Sequence, residues 1–311
     1  MNMSVKIKVT VRAFCQNQVL RSELLEVFPN AEFNEGGHRY QGQELVDYLD
    51  DVDGAIVGLD PMTSDVIRKL TNLKVISKFG VGLDNVDVEF AKSQGKVIGW
   101  SGGVNRRSVA EEAIGFMLGL THNLFQTSYQ LKQGFWNKNG GVQLSGRTVG
   151  IVGCGFVGAD LLKLLQPFGC KLLICDILDK TSIAKQYQAS QVEFSEIVVE
   201  SDILSLHVPL TELTQNMIDA AVLQRMKTTA FVINTSRGPV IDQTALKEAL
   251  MKGEISGAAL DVFEEEPPKD LEFLALPNLI PTPHIGGNAE EAVLAMGRSA
   301  IAHLKTAFIS L

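Results

Sequence analysis

Short apolar runs alternate with stretches of helical periodicity along nearly the whole chain, and the two patterns never separate into blocks. In the first hundred residues, 5–11, 54–57, 74–78 and 96–98 predict strands. Residues 20–28, 43–49, 64–70 and 86–93 predict helices between them. Alternation of this kind predicts a parallel sheet flanked by helices. A second series starts at Arg147, with strands at 172–175, 203–206, 231–234 and 257–260, and runs to about Pro281. Between the two series, 106–133 predicts one long helix ended by Gly134, with Asn105 or Ser108 as its cap and Glu111 and Glu112 in its first turns. Its apolar residues Val109, Ile114, Met117, Leu118, Leu120 and Leu124 cover more than one face. Such a helix, roughly 40 Å long, is expected to be buried between two domains and to link them. Residues 137–141 come next as a polar loop, and a final helix at 288–304 is expected to return to the first domain.

A chain of 311 residues fits two domains of about 150 residues each. The fold class is therefore α/β, with two doubly wound parallel-sheet domains. The net charge of −8 disfavours nucleic acid or an anionic membrane as a partner. The start of the chain, from Met3 to Val9, alternates like a strand and has no signal-peptide pattern, and no apolar run approaches the ~20 residues of a membrane span. Cys15, Cys154, Cys170 and Cys175 form no C-x-x-C pair, so neither a metal site nor a redox dithiol is indicated; free thiols in a reducing cytoplasm are expected. Cys154 is the one cysteine placed where its modification would block a ligand.

The start of the second series identifies that ligand. Val149-Gly150-Ile151-Val152 runs into Gly153-Cys154-Gly155-Phe156-Val157-Gly158, and Asp176 ends the next apolar strand 18 residues later. Strand, G-x-G-x-x-G, helix, strand and acid together form a dinucleotide-binding fingerprint. Gly153 allows the tight turn, Gly155 lets a pyrophosphate approach, and Gly158 lets helix and strand pack. The amides of Phe156 and Val157 are expected to face phosphate. Asp176 is expected to accept from the adenosine ribose and to repel a 2′-phosphate, and Ile177 and Leu178 offer no arginine, so NAD is favoured over NADP. The first series has no such turn, which leaves it to hold a substrate.

Three later strand ends carry ionisable groups, at the edge where open parallel sheets gather ligands. Ile233-Asn234-Thr235-Ser236-Arg237-Gly238 offers a guanidinium that grips a carboxylate in bidentate fashion. Ala259-Leu260-Asp261-Val262-Phe263-Glu264-Glu265-Glu266-Pro267 supplies acids, and Pro281-Thr282-Pro283-His284-Ile285-Gly286-Gly287 places a histidine between a proline and a glycine pair. With Glu266 holding its other ring nitrogen, His284 becomes a general acid or base. His38, His122, His207 and His303 make weaker candidates; His207 stands at a strand end before Pro209, where it shapes a cofactor cleft.

Taken together, these segments resemble the NAD-dependent D-2-hydroxyacid dehydrogenases. Lys78-Phe79-Gly80-Val81-Gly82-Leu83-Asp84-Asn85-Val86-Asp87 resembles that family's substrate loop, and Val104-Asn105-Arg106-Arg107-Ser108-Val109-Ala110-Glu111 the start of its interdomain helix. The resemblance spans nearly the whole chain. It implies a flavodoxin-like substrate domain at 1–100 plus 287–311, with an NAD-binding Rossmann domain at 101–286 inserted in it. It implies Arg237, Glu266 and His284 as catalytic residues, and substrate contacts from Lys78, Val81, Gly82 and Arg237. Cofactor contacts are implied for His207, Val208, Pro209, Thr235, Ser236, Asp261 and Gly286 beside the glycine turn and Asp176. A homodimer formed largely through the nucleotide domain is also implied. Phe156-Val157 departs from the Arg-Ile frequent in the family; because backbone amides do the binding there, little consequence is expected.

Within the family the substrate loop and Asn105-Arg106-Arg107-Ser108 look most like 3-phosphoglycerate dehydrogenases, with Arg106, Arg107 or Lys138 as candidate phosphate ligands. Glyoxylate or hydroxypyruvate reduction is the alternative. The sequence stops at Leu311, so the regulatory domains of longer serine-pathway enzymes, and serine feedback, are not expected. A formate dehydrogenase is disfavoured because it looks for glutamine where Glu266 stands. An NAD(H)-sensing corepressor can keep the same three residues and is the alternative from another class.

Overall fold

The computed structural model describes residues 5–309 and divides into two compact units, Met1–Asn105 with Gly287–Leu311, and Arg106–Gly286. Met3 and Ser4, expected to open the first strand, lie outside the described residues.

In the first unit five parallel strands, β1 (Ile7–Val9), β2 (Glu32–Phe33), β3 (Gly54–Val57), β4 (Val75–Lys78) and β5 (Val97–Gly99), are ordered β2-β1-β3-β4-β5. This is the flavodoxin-like doubly wound order. Successive side chains in a strand point to opposite faces, and the burial obeys that alternation. Ile7, Val9, Ile56 and Val75 join one core cluster with Phe14, Leu20 and Leu24. Ala55, Val57 and Ile76 join another with Leu45, Leu49 and Ile67. The last helix, Glu290–Ile309, contributes Met296, Ala300, Ile301 and Leu304 to the first of these clusters. Ser77 also donates its hydroxyl to the Ala300 carbonyl at 2.8 Å. The final helix therefore packs into the first unit.

The second unit holds seven parallel strands: β6 (Thr148–Val152), β7 (Lys171–Cys175), β8 (Ala189–Gln191), β9 (Ile203–Leu206), β10 (Phe231–Asn234), β11 (Gly257–Leu260) and β12 (Leu279–Pro281). Their order is β12-β11-β10-β9-β6-β7-β8, which counted from β6 is 3-2-1-4-5-6-7, the dinucleotide-fold order with one strand added. Val152, Leu206, Asn234, Leu260 and Pro281 sit in register across β6, β9, β10, β11 and β12. The loops that leave these five residues therefore emerge at one edge of the sheet. Among the described residues, no helix is long and apolar enough to cross a membrane.

The single long helix expected at 106–133 is corrected to two, Arg106–Thr121 and Leu124–Lys132. The break is at Asn123, which adopts a left-handed φ of 52°, a conformation that asparagine tolerates better than most residues. Thr121 helps to end the first helix by turning its hydroxyl back on the Met117 carbonyl at 2.7 Å. Burial separates the two pieces. The first buries Val109, Ala113, Phe116, Met117 and Leu120, whereas the second buries none of its residues and leaves Leu124 53% exposed. The proposed Ser108 cap is also corrected, because its hydroxyl donates to the Gly286 carbonyl instead.

Candidate active site

The glycine turn leaves β6 with Gly153 at a φ of +90°, where a Cβ would stand 2.5 Å from the His207 carbonyl oxygen. At Gly158 a Cβ would stand 2.2 Å from the Gly153 carbonyl oxygen, so the helix Phe156–Leu165 approaches the turn as closely as it does only through a missing side chain. Gly155 differs. A Cβ there meets nothing of the protein within 4 Å, and the helix that begins after it has no side-chain cap for its first amides. An open face over uncapped amides suits a pyrophosphate. Phe156 is exposed and Val157 half-buried at this start.

Asp176 ends β7 and braces the same turn. Its Oδ2 accepts from the Cys154 amide at 2.8 Å and its Oδ1 from the Leu178 amide at 2.9 Å. Ile177 and Leu178 are exposed beside it. Lys180, just beyond the segment that the sequence singles out, brings its Nζ to 3.9 Å from Asp176. Burial pushes the Cys154 thiol up to about 11, with Lys180 and Asp176 acting in opposite senses. The thiol is thus inert near neutral pH, which weakens any modification switch there.

At the shared sheet edge His207 comes directly after β9, half-buried. Its Nε2 lies 2.8 Å from the Ser205 hydroxyl and its Nδ1 3.4 Å from that of Thr235. Burial pushes its pKa down to about 4, so the ring is neutral at pH 7. Val208 and Pro209 continue the chain as half-buried and exposed residues. After β10, Asn234 folds the turn that carries Arg237. The Asn234 Oδ1 accepts from the Ser236 amide at 3.0 Å and hydroxyl at 2.7 Å, while its Nδ2 donates to the Arg237 carbonyl at 2.9 Å. Ser236 is thereby buried and committed to the turn. The Arg237 Nη1 donates to the Ser236 carbonyl at 2.7 Å, which sets the guanidinium near the end of β10.

Glu266 and His284 come from different loops and meet. His284 Nδ1 lies 2.8 Å from Glu266 Oε2, and Oε1 of the same carboxylate accepts from the Phe263 amide at 3.2 Å. Both side chains remain about one-third exposed, so the pair is reachable from solvent. Burial acts to raise the Glu266 pKa, but His284, the Phe263 amide and Arg237 outweigh it and hold the carboxyl below its usual range. Glu266 thus touches His284 and feels the charge of Arg237. His284 itself has a left-handed φ of 55°, a strained backbone that the flanking loop must hold.

Asp261 does part of that holding. It is 2% exposed, and it accepts from the Ile285 and Gly286 amides at 2.7 Å each and from the Thr282 hydroxyl at 2.7 Å. This carboxylate is spent on the loop that bears His284. Asn234, Ser108 and Thr282 lie within the quoted motifs, but their positioning roles are visible only in the structure.

The loop that the sequence offers for substrate lies in the first unit. Lys78 is buried, with its Nζ donating to the Gly58 carbonyl and to Asn85 Oδ1, the latter at 2.6 Å. It therefore holds the loop that presents Val81 and Gly82, and the Val81 carbonyl accepts from the Trp100 indole at 2.9 Å. Arg107 is engaged with Asp160 at 2.9 Å, while Arg106 and Lys138 are exposed. Among the described residues there is no cluster of three His, Cys, Asp or Glu side chains that would hold a metal.

A dinucleotide-type domain with an arginine and a glutamate–histidine pair at its sheet edge has the makings of a nicotinamide-dependent dehydrogenase. Comparison with known proteins makes the class specific. Residues 114–286 match the family model of the D-isomer specific 2-hydroxyacid dehydrogenase NAD-binding domain, and the chain belongs to that family. A D-3-phosphoglycerate dehydrogenase of Methanocaldococcus jannaschii is 39% identical over 259 residues, covering 82% of this chain but 49% of the relative. The chain thus spans about half the length of that relative. A hydroxypyruvate reductase of Thermotoga maritima is 36% identical over 289 residues, covering 90% of this chain and 93% of the relative. Among solved structures, a D-lactate dehydrogenase of Aquifex aeolicus in complex with NAD and lactic acid superposes with a TM-score of 0.87. It shares 25% identity and covers 98% of this chain and 96% of its own.

Proposed function

We propose that the chain oxidises or reduces a small 2-hydroxy or 2-oxo acid with NAD, and that Arg237, Glu266 and His284 carry the reaction. The observation behind this reading is the 2.8 Å contact between His284 Nδ1 and Glu266 Oε2, next to a guanidinium at the same sheet edge. Bound NAD supplies the hydride acceptor at C4 of its nicotinamide. Gly153, Gly155 and Gly158 would cradle its pyrophosphate and Asp176 its ribose, with His207, Val208, Pro209, Thr235 and Gly286 along the rest of its length. Asp261 would serve it indirectly, by fixing the His284 loop.

In oxidation, the C2 hydrogen leaves as hydride and the hydroxyl proton passes to Nε2 of His284. Glu266 stabilises the imidazolium so formed, and reduction returns the same proton to the oxo oxygen. Arg237 grips the carboxylate, and the amides of Val81 and Gly82, on the loop that Lys78 holds, bind the substrate as well.

Phosphoglycerate is the substrate that the 82% of this chain aligned with the M. jannaschii relative supports. Hydroxypyruvate or glyoxylate reduction is the second reading, favoured by the near end-to-end match with the T. maritima relative. A panel of 3-phosphoglycerate, hydroxypyruvate, glyoxylate and D-lactate with NAD(H) separates them. Tight NADH binding without turnover on any of the four would instead favour an NAD(H) sensor.

A homodimer accords with the exposed apolar stretch Leu124, Tyr129, Leu131, Phe135 and Trp136, which a second copy would cover. The molar mass in solution tests this, and Trp136→Asp should shift it towards the monomer. A reducing compartment such as the cytoplasm suits the four free cysteines.

A further inference from the structure

The helix Arg106–Thr121 turns Ser108 and Glu112, one helical turn apart and so on one face, towards the loop that carries His284. Ser108 donates to the Gly286 carbonyl. Glu112 reaches the same loop by its carboxyl. A Cβ built on Gly286 would stand 2.5 Å from Glu112 Oε2 and 3.1 Å from Asp261 Oδ2, so two carboxyl groups converge on one glycine. Two carboxylates at such a place repel each other, and a shared proton removes the repulsion.

Counting donors assigns that proton. Asp261 already accepts from the Ile285 amide, the Gly286 amide and the Thr282 hydroxyl. The Thr282 hydroxyl has a single hydrogen, directed at Asp261 at 2.7 Å, while Glu112 Oε1 is 3.5 Å away. Glu112 Oε2 is buried with no hydrogen-bond partner. As an anion, Glu112 would bury an oxygen with no donor, whereas as an acid it can donate to the neighbouring carboxylate.

We propose that Glu112 is a positioning residue which, in its protonated form, hydrogen-bonds Asp261 and braces the 282–286 loop, holding His284 in its left-handed conformation against Glu266. Burial, followed by the charge of Asp261, pushes Glu112 up to about 8, in keeping with that geometry. The groups around it are consistent with a neutral acid. Asp261 is the charge that acts on it, Thr282 and Ser108 are uncharged, and Arg107 on the same helix is engaged with Asp160 and Glu111. Above that pH the brace acquires a second negative charge and loosens.

The brace depends on His284 being the proton-transfer residue only for its kinetic consequence; the bond itself can be observed directly. Infrared difference spectra between the parent protein and Glu112→Gln at pH 7 should show the carbonyl stretch of a protonated carboxyl, lost from the parent as the pH rises past about 8. Carboxylate bands at pH 7 in its place would overturn the proposal. With hydroxypyruvate and NADH, Glu112→Leu should lower kcat roughly tenfold with KM little changed, and Glu112→Gln, which keeps a donor, should recover most of that loss. Equal losses in the two variants, or none in either, would also overturn it. If His284→Ala instead kept its turnover, the proposed function would fail while the infrared band still decided whether the brace exists.

Discussion

His284 Nδ1 and Glu266 Oε2 lie 2.8 Å apart although 18 residues and two loops separate them in the chain. Neither position is set by the side chains alone. Glu266 is anchored by the Phe263 amide, and the His284 loop is anchored by Asp261. Two parallel strands ending in register bring the anchors together. The contact orients one ring nitrogen by a carboxylate, and the proposed proton transfer falls to the other.

Replacing Glu266 by Gln should therefore lower kcat by about a hundredfold while NADH affinity changes little. Steady-state kinetics with NADH fluorescence titration reads both. The carboxyl is held below its usual range in the fold, so its favourable contribution is present above about pH 4.5 and lost as the pH falls through its depressed value. Glu266→Gln should accordingly show a shallower loss of melting temperature in acid than the parent.

Asp176 supports two functions that can be separated. Asp176→Ser removes the carboxylate expected at the ribose and should narrow the preference for NAD over NADP by roughly tenfold or more. It also frees the Cys154 and Leu178 amides that Asp176 now binds, so a melting temperature lower by a few degrees is expected. Dissociation constants for the two cofactors, measured in parallel, check the first effect. An unchanged ratio would remove Asp176 from cofactor selection.

His207 predicts an acid sensitivity of its own. The fold holds the ring neutral, with its pKa lowered from 6.5 to about 4. A lowered value means that the stabilisation is full above about pH 6.5 and is lost as the pH falls towards 4. Thermal melting from pH 7 to 4 should thus fall more steeply for the parent than for His207→Gln. Parallel curves would show that burial of this ring is not felt in stability.

The legibility of the chain depends on how its elements are buried. Strands 54–57, 203–206, 231–234 and 257–260 coincide with their apolar runs because both faces are covered by helices, so nearly every position must be apolar or small. The edge strands Glu32–Phe33 and Ala189–Gln191 escape notice because they are short and half polar, and they pair on one side only. The helix break at Asn123 is a backbone event within a chain stretch whose periodicity hardly changes. In the site, His284 stands out through its flanking proline and glycines, and Glu266 through the acid run before Pro267. Asn234, Ser108 and Glu112 do not, since each acts on another segment's backbone or side chain, and only tertiary structure brings those segments together.

His284 is proposed to move the proton while hydride passes to or from NAD. The most direct test measures turnover of His284→Ala with hydroxypyruvate, glyoxylate, 3-phosphoglycerate and D-lactate, alongside its affinity for NADH. The variant's kcat should be lower by about a hundredfold or more on whichever acid the parent turns over, with NADH binding retained. Near-parental turnover with the histidine removed would contradict it.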